Sequence, residues 1–499
     1  MSLMLQLPNA WLIMVLSEWL DLPSIGKLDT AVSSKKHRPQ FLLSLQVMRS
    51  TTIDMFSCSP HRWLETRSWV ASWWRWLSIR QIHVESIANL DANVHSHFAI
   101  PSMRKVETSS SFDDVCVHYL ICNCPCLRSL KLQARVDRMS YLGLRILSTL
   151  HQSLEEFFLI GTFGEGRLEY YTQSALIDIF RQCTHLRKVS LTGDVWRDVK
   201  FEELLPFGHL FHELELRMGH RVGSYGQATS EFFAACSNLR NLQYGGRDNE
   251  EDCLALTTLS QSCVLLEDLL LEGFSFIEQE QQAHGANVNI FMNRNNCRHL
   301  RKLILVNCEL SAPALQNIAG LETLLELEFR RCDGFTWADM SILATMKLFN
   351  LSIVSCHIDL LTESFVQSFV GSDISQTLES FSLVSYNAAP IDDVQFATAL
   401  ASCHKLTKLT VRSGSGKCRF GRSGLAGLEA MAAGCPLLAD VSMQLTVGGI
   451  HYIGTHFGSL KKCIVSTTQA VMEGSPTPEQ FPTAQDLHTL YPAVAWIIS

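Results

Sequence analysis

Charge is scarce in this sequence: Asp, Glu, Lys and Arg make up 18% of its 499 residues, against about 25% in an average soluble domain. Hydrophobic residues reach 47%, so the low charge does not accompany the apolar poverty of a disordered chain. Positive charge is in deficit, with 41 Lys and Arg against 49 Asp and Glu and a net charge of −8. A general binder of nucleic acid or of an acidic membrane would carry the opposite balance. Nothing approaches the roughly 20 apolar residues of a membrane span. Near the start, the run Trp11–Leu16 is soon followed by Glu18 and Asp21, and no Lys or Arg precedes Lys27. The basic start, longer apolar core and small-residue cleavage site of a secretory signal are missing. The expected compartment is the cytoplasm and/or the nucleus, where thiols stay reduced.

Catalytic signatures are equally thin. No C-x-x-C occurs, and Cys122-Asn123-Cys124-Pro125-Cys126 has one residue between thiols where zinc pairs have two to four. Gly414-Ser415-Gly416-Lys417-Cys418 looks like a phosphate loop, but Val411 stands where the first glycine belongs and Cys418 where the magnesium-binding hydroxyl belongs. His95 and His97, and His451 and His456, have no carboxylate or thiol at ligand spacing and read as surface or loop histidines. No nucleophile elbow or zinc-helix motif is present. The expectation is a chain that is not an enzyme, with no cofactor and no metal site.

What is abundant is leucine at a fixed spacing. The pattern L-x-x-L-x-L, with Ile, Val, Phe, Met or Tyr as substitutes, starts at Leu127, Leu186, Leu266, Leu300, Leu324, Leu348 and Leu406. Looser copies start at Leu154, Phe211, Leu239, Leu378, Leu438 and Leu460, and two weak ones at Ile79 and Met103. From Leu127 to Leu460 the copies lie 22 to 34 residues apart. Side chains alternate faces along a strand, so the last two leucines of a copy enter one core. Amphipathic stretches such as Ala175–Phe180 and Phe396–Leu400 lie between copies. One strand and one helix cannot bury their apolar faces alone, so the copies must stack.

The sequence has 17 cysteines, and ten fall into this register. Cys124, Cys183, Cys236, Cys263, Cys297, Cys403 and Cys435 stand three residues before the first leucine of a copy; Cys308, Cys332 and Cys356 stand eight after it. Free cysteine is among the most buried residue types, so these are expected to be core thiols.

This pattern resembles the cysteine-containing leucine-rich repeats of F-box proteins and ribonuclease-inhibitor-like folds. The resemblance covers about residues 79 to 465. It implies an α/β horseshoe solenoid of about fifteen units, with parallel strands on the concave face and helices on the convex face. The expected organisation is a small helical unit over 1–50, a Trp-rich linker or N-cap helix over 51–78, the solenoid over 79–470 and a proline-containing tail over 471–499. In that tail Pro476, Pro478, Pro482 and Pro492 are expected to end the repeats.

Residues 5–46 stand outside the repeat. Leu7-Pro8 precedes apolar residues at helical spacing, Asp21-Leu22-Pro23-Ser24 opens a second helical stretch, and Phe41–Leu45 forms a third. Three short helices after Leu-Pro resemble the F-box, which docks onto the small Skp-type adaptor of cullin-RING ubiquitin ligases. The resemblance implies that Leu7, Pro8, Leu12, Val15, Leu16, Leu20, Ile25 and Leu28 face the adaptor. It departs at residues 33–39, which lack the tryptophan usual in the third helix. A plain helical cap for the solenoid would also occupy this place. Trp69, Trp73 and Trp76 share a helical face and are expected to seal the first repeat.

In each copy, the residues between the strand leucines are expected on the concave face. They include Phe158 and Ile160, Glu215 and Arg217, Leu270 and Glu272, Ile304 and Val306, Glu328 and Arg330, and Arg412. Mixed charge with apolar patches suits a protein ligand better than nucleic acid. The long interval from Leu266 to Leu300 carries an insertion, 276–285, placed as a gripping loop or a long convex helix. The sequence thus suggests a target-recognition subunit of a Skp–cullin–F-box ligase, or a stand-alone repeat scaffold or inhibitor.

Overall fold

The computed structural model describes residues 38–39, 41–42, 51–54, 84–90, 102–108, 113–135, 141–150, 153–162, 169–193, 200–218, 226–246, 250–276, 297–356, 368–385, 393–413, 424–465 and 482–498. The chain divides into two compact units, Met1–Gly223 and Ser224–Ser499.

The first unit holds strands β1 (Thr51–Asp54), β2 (Val84–Leu90), β3 (Lys105–Thr108), β4 (Ser129–Arg135), β5 (Glu156–Thr162), β6 (Lys188–Gly193) and β7 (Glu213–Met218). Each pairs in parallel with the next. The register aligns the repeat leucines: Val106, Leu130, Phe157, Val189 and Leu214 form one rung-to-rung column. All five are at most 3% exposed.

The second unit holds β8 (Asn241–Gly245), β9 (Asp268–Glu272), β10 (Ser275–Phe276), β11 (Lys302–Val306), β12 (Glu309–Leu310), β13 (Glu326–Arg330), β14 (Asn350–Val354), β15 (Ser380–Ser385), β16 (Lys408–Ser413), β17 (Asp440–Met443), β18 (Lys462–Val465) and β19 (Ala495–Ile498). Its parallel ladder runs β8-β9-β11-β13-β14-β15-β16-β17-β18-β19, and β10 pairs separately with β12. Leu242, Leu269, Leu303, Leu327, Leu351, Phe381 and Leu409 make the matching apolar column. Burying each such side chain contributes about 1.5–3 kcal/mol.

Helices or 3-10 turns separate most successive strands, as parallel pairing requires. In the helix Glu169–Gln182, Ala175, Leu176, Ile179 and Phe180 are buried, while Asp178 pairs with Arg145 and Arg181 at the surface. Aromatic contacts join the helical layer to the buried face of the sheet. Phe233 meets Tyr244 edge-on at 5.3 Å, and Phe396 lies 5.9 Å from Phe381. Both units are therefore α/β leucine-rich-repeat structures, with parallel strands in one layer and helices in the other.

The structure corrects three boundary expectations. Strand β1 occupies 51–54, inside the stretch assigned to a linker, and pairs with β2. The first weak copy starts at Val84, five residues after the expected Ile79, because Ile87 and not Ile82 aligns with Val106. The proline-containing tail does not end the repeats. The Thr483 hydroxyl and the Asp486 carboxylate form a reciprocal cap that starts the helix Ala484–Leu490, and β19 then adds a strand to β18. This copy reads Val494-Ala495-Trp496-Ile497-Ile498, with Trp496 in the column where Cys463 stands. One residue fewer before the second apolar position hides it from the L-x-x-L-x-L spacing.

The adaptor-facing residues Leu7, Pro8, Leu12, Val15, Leu16, Leu20, Ile25 and Leu28 lie outside the described residues, as do Trp69, Trp73 and Trp76, residues 277–285 of the insertion and the 414–418 loop. Of residues 1–50 the structure describes only 38–39 and 41–42, which are helical, with Phe41 fully buried.

Candidate binding face

The ten register cysteines explain how each strand is entered and left. Cys183 closes a helix by donating its backbone N–H to the Ile179 carbonyl at 2.8 Å, and its own carbonyl accepts from Leu186 N–H at 3.0 Å. Cys263 and Cys435 repeat both bonds. Their thiols turn inward: Cys263 Sγ donates to the Cys236 carbonyl at 3.3 Å, and Cys435 Sγ to the Leu400 carbonyl at 3.2 Å. Burial pushes the Cys183, Cys263, Cys297, Cys403, Cys435 and Cys463 thiols up to about 12, because a thiolate there would lose its water.

At the far end of the strand, Cys308, Cys332 and Cys356 form a second ladder. Each follows a residue in the left-handed region, Asn307 (φ 51°), Arg331 (φ 53°) or Ser355 (φ 58°). That conformation rotates the backbone N–H toward the next copy: Asn307 N donates to the Arg330 carbonyl and Arg331 N to the Val354 carbonyl, both at 2.8 Å. Asn tolerates this region, but Arg and Ser give no such signal in the sequence. Hydrogen bonds with both neighbours raise the middle thiol, Cys332, and lower Cys308 and Cys356. The fourteen cysteines whose side chains are described are free. Twelve of the fourteen are buried; Cys122 and Cys126 are exposed.

With the apolar columns turned toward the helices, the alternate side chains of every strand are left on the open face of the sheet. In the first unit Phe158 is half-buried beneath the Lys188 ammonium, 5.7 Å from the ring centre, and Ile160 is half-buried on the same strand. Ser190 Oγ donates to Glu215 Oε2 at 2.6 Å. Arg217 is paired in β7 opposite Thr192.

In the second unit Leu270, Ile304 and Glu328 stand side by side on β9, β11 and β13, and Glu272, Val306 and Arg330 form the adjoining row. Leu270 is 7% exposed; Ile304 and Val306 are half-buried. Arg330 grips Glu328 through two bonds, Nε to Oε1 at 2.7 Å and Nη2 to Oε2 at 2.9 Å. Lys302 pairs with Glu326 at 2.9 Å. These hydrogen-bonded carboxylates hold the Arg330 guanidinium and the Lys302 ammonium above their ordinary values. Glu272 accepts a bond of 3.3 Å from Asn307. Arg412 donates Nε to Ser442 Oγ at 2.9 Å.

The structure thus brings Leu270, Glu272, Ile304, Val306, Glu328 and Arg330 into one contiguous patch. Arg412 stands apart, three strands beyond β13. Leucine spacing gives no sign of the hydroxyl column Ser352, Ser382, Thr410 and Ser442 or of the flanking Lys408 and Lys462. Such residues look like filler singly; only strand register makes them a column.

His451 and His456 lie on the helix Val447–His456, His456 exposed at the surface and His451 half-buried. His451 Nδ1 lies 3.0 Å from Tyr491 Oη, and the His456 ring stacks on Tyr452 at 4.0 Å. Among the described residues no group of three or more His, Cys, Asp or Glu converges as a metal site. None of their helices is long and apolar enough to cross a membrane.

No family model matches the chain, and no curated protein does. Among solved structures, an internalin from Listeria monocytogenes is 14% identical, with 69% of this chain and 81% of that one covered and a TM-score of 0.40. A chain in the yeast structure of the Rad7 and Elc1 complex is also 14% identical, with 93% and 97% covered and a TM-score of 0.42. Both scores are low, and the fold assignment rests on this chain's own strand register.

Proposed function

We propose that this chain is a non-catalytic protein-binding subunit whose repeats hold a target protein on the open face of the sheet. The observation that carries this reading is the half-buried pair Ile304 and Val306 beside the buried Leu270, rimmed by Glu272, Glu328 and Arg330 on three adjacent strands. Apolar centres with a polar rim suit a protein ligand. The reading extends to a Skp–cullin–F-box ubiquitin ligase: residues 1–46 take the Skp-type adaptor, the repeats take the target, and ubiquitin transfer occurs on other subunits. No nucleic acid or membrane enters this role. Cytoplasm or nucleus suits it, because fourteen free cysteines belong in a reducing compartment.

Co-expression with a Skp-type adaptor tests the ligase link. The full chain is expected to retain the adaptor, and the Leu12→Asp/Leu16→Asp variant to recover at least tenfold less at an unchanged melting temperature. Equal recovery, or none with either protein, contradicts it. Proximity labelling in cells tests the target site separately: Ile304→Asp is expected to lose a set of neighbours while keeping the adaptor. An unchanged set contradicts target binding at this patch.

A further inference from the structure

The open face of the second unit is electrically divided along its length. On β9, β11 and β13 the outward positions carry four carboxylates, Asp268, Glu272, Glu326 and Glu328, against Lys302 and Arg330. Both cations there are already paired within the face. The outward positions of β14 and β15 are uncharged: Asn350, Ser352, Val354, Ser380, Ser382 and Val384. Beyond them, β16, β17 and β18 carry Lys408, Arg412 and Lys462 against one carboxylate, Asp440.

The basic end is built differently from the acidic one. Lys408, Thr410 and Arg412 alternate along β16, so all three project to the same side. Lys408 and Lys462 are exposed, and Arg412 is half-buried. Among the described residues none of the three makes an ion pair; Arg412 is instead oriented by its bond to Ser442. Ser382 and Ser442 flank Thr410 on the neighbouring strands. Strands lie about 4.8 Å apart and alternate residues about 7 Å apart. Lys408 and Lys462 flank Asp440 in register, and Arg412 lies about 13 Å along β16 from Lys408, so the cations form a row for successive carboxylates and not a single pocket. A row of cations beside the hydroxyls of Thr410 and Ser442 is complementary to carboxylates.

We propose that the β16–β18 end of this face docks an acidic, Asp- and Glu-rich segment of the partner protein, while aliphatic side chains of the same partner seat on Ile304 and Val306. This rests on the protein-binding reading and adds the chemistry and direction of the ligand. The uncharged β14–β15 strip between the two ends sets the spacing at two strands.

Fluorescein-labelled octaglutamate, titrated into the full chain at low and physiological salt, is the probe. It is expected to bind tighter than a Gly-Ser octapeptide, despite the repulsion of an acidic chain. Carbodiimide coupling is expected to join it to Lys408 and Lys462, located by peptide mass spectrometry. Lys408→Glu/Arg412→Glu is expected to weaken binding at least tenfold at an unchanged melting temperature. Lys347→Glu, an exposed cation off the strands, is expected to change it less than twofold. Binding no tighter than the Gly-Ser peptide, cross-links confined to other lysines, or equal losses in both variants overturns the proposal. A single-stranded oligonucleotide that binds as tightly overturns it in favour of a general polyanion site. Such failures leave target binding to be judged by the Ile304→Asp labelling, which uses the other end of the face.

Discussion

Raising the pH from 8 to 10 is expected to destabilise the second unit, Ser224–Ser499, far more than the first. Five of its thiols, Cys263, Cys297, Cys403, Cys435 and Cys463, are pushed from 9.0 to about 12 by burial, against Cys183 in the first unit. The fold holds the neutral thiol, whereas the unfolded chain releases its proton near 9. The stabilisation is therefore complete below pH 9 and is lost as the pH climbs from 9 toward 12. One pH unit past the unfolded value costs about 1.4 kcal/mol per thiol. Five thiols together cost about 7 kcal/mol at pH 10, against about 5–15 kcal/mol for the stability of a whole domain. The lowered Cys308 and Cys356 thiols offset part of this, because they favour the fold as the pH rises. Urea unfolding in the presence of a phosphine reductant, followed by circular dichroism at pH 7.5, 9 and 10, reads this directly. The midpoint should fall only slightly by pH 9 and steeply by pH 10. An unchanged midpoint at pH 10 would mean that the thiols are not held in the dry ladder.

The second large effect comes from Gly434, at the end of the helix Ala426–Gly434. A Cβ there would lie 2.0 Å from the Ala401 carbonyl oxygen and 2.7 Å from Ala401 Cα. Both are backbone atoms of the preceding copy and cannot swing aside. Gly434→Ala is therefore expected to cost about 3 kcal/mol, since overpacking against backbone outweighs the modest entropic gain from losing a glycine. For a unit of this size that lowers the melting temperature by about 6–12 °C. Gly448→Ala should do the opposite. That glycine is exposed near the start of the helix Val447–His456, and a Cβ added to it would meet nothing within 4 Å. Alanine there is expected to stabilise by about 0.5–1 kcal/mol. Thermal melts of the two variants should move in opposite directions; a shared direction would contradict the close approach at Ala401.

The repeat core is legible in the sequence because leucine spacing and strand geometry express one constraint. A two-residue alternation places Leu130 and Leu132, or Leu303 and Leu305, in one core, and parallel pairing then aligns them with every neighbour. The cysteines are legible for the same reason, since a turn entered and left at fixed offsets needs a small group there. Val494-Ala495-Trp496 is not legible, because one missing residue breaks the spacing while the backbone still reaches β18. The left-handed turns at Arg331 and Ser355 leave no mark, since bonds to the next copy impose them on residues that do not favour them. On the open face, Ile304 and Val306 are visible as apolar residues at outward positions. The division of charge along the face is not, because it arises only when strands 22 to 34 residues apart in sequence are laid side by side.

Mass-spectrometric mapping of cysteine alkylation in the native chain tests most directly the claim that this is a stacked ladder of repeats with structural thiols. Cys122 and Cys126 are expected to react rapidly, and Cys124, Cys183, Cys236, Cys263, Cys297, Cys308, Cys332, Cys356, Cys403 and Cys435 only after urea unfolding. Rapid native modification of all ten of these register cysteines would contradict it.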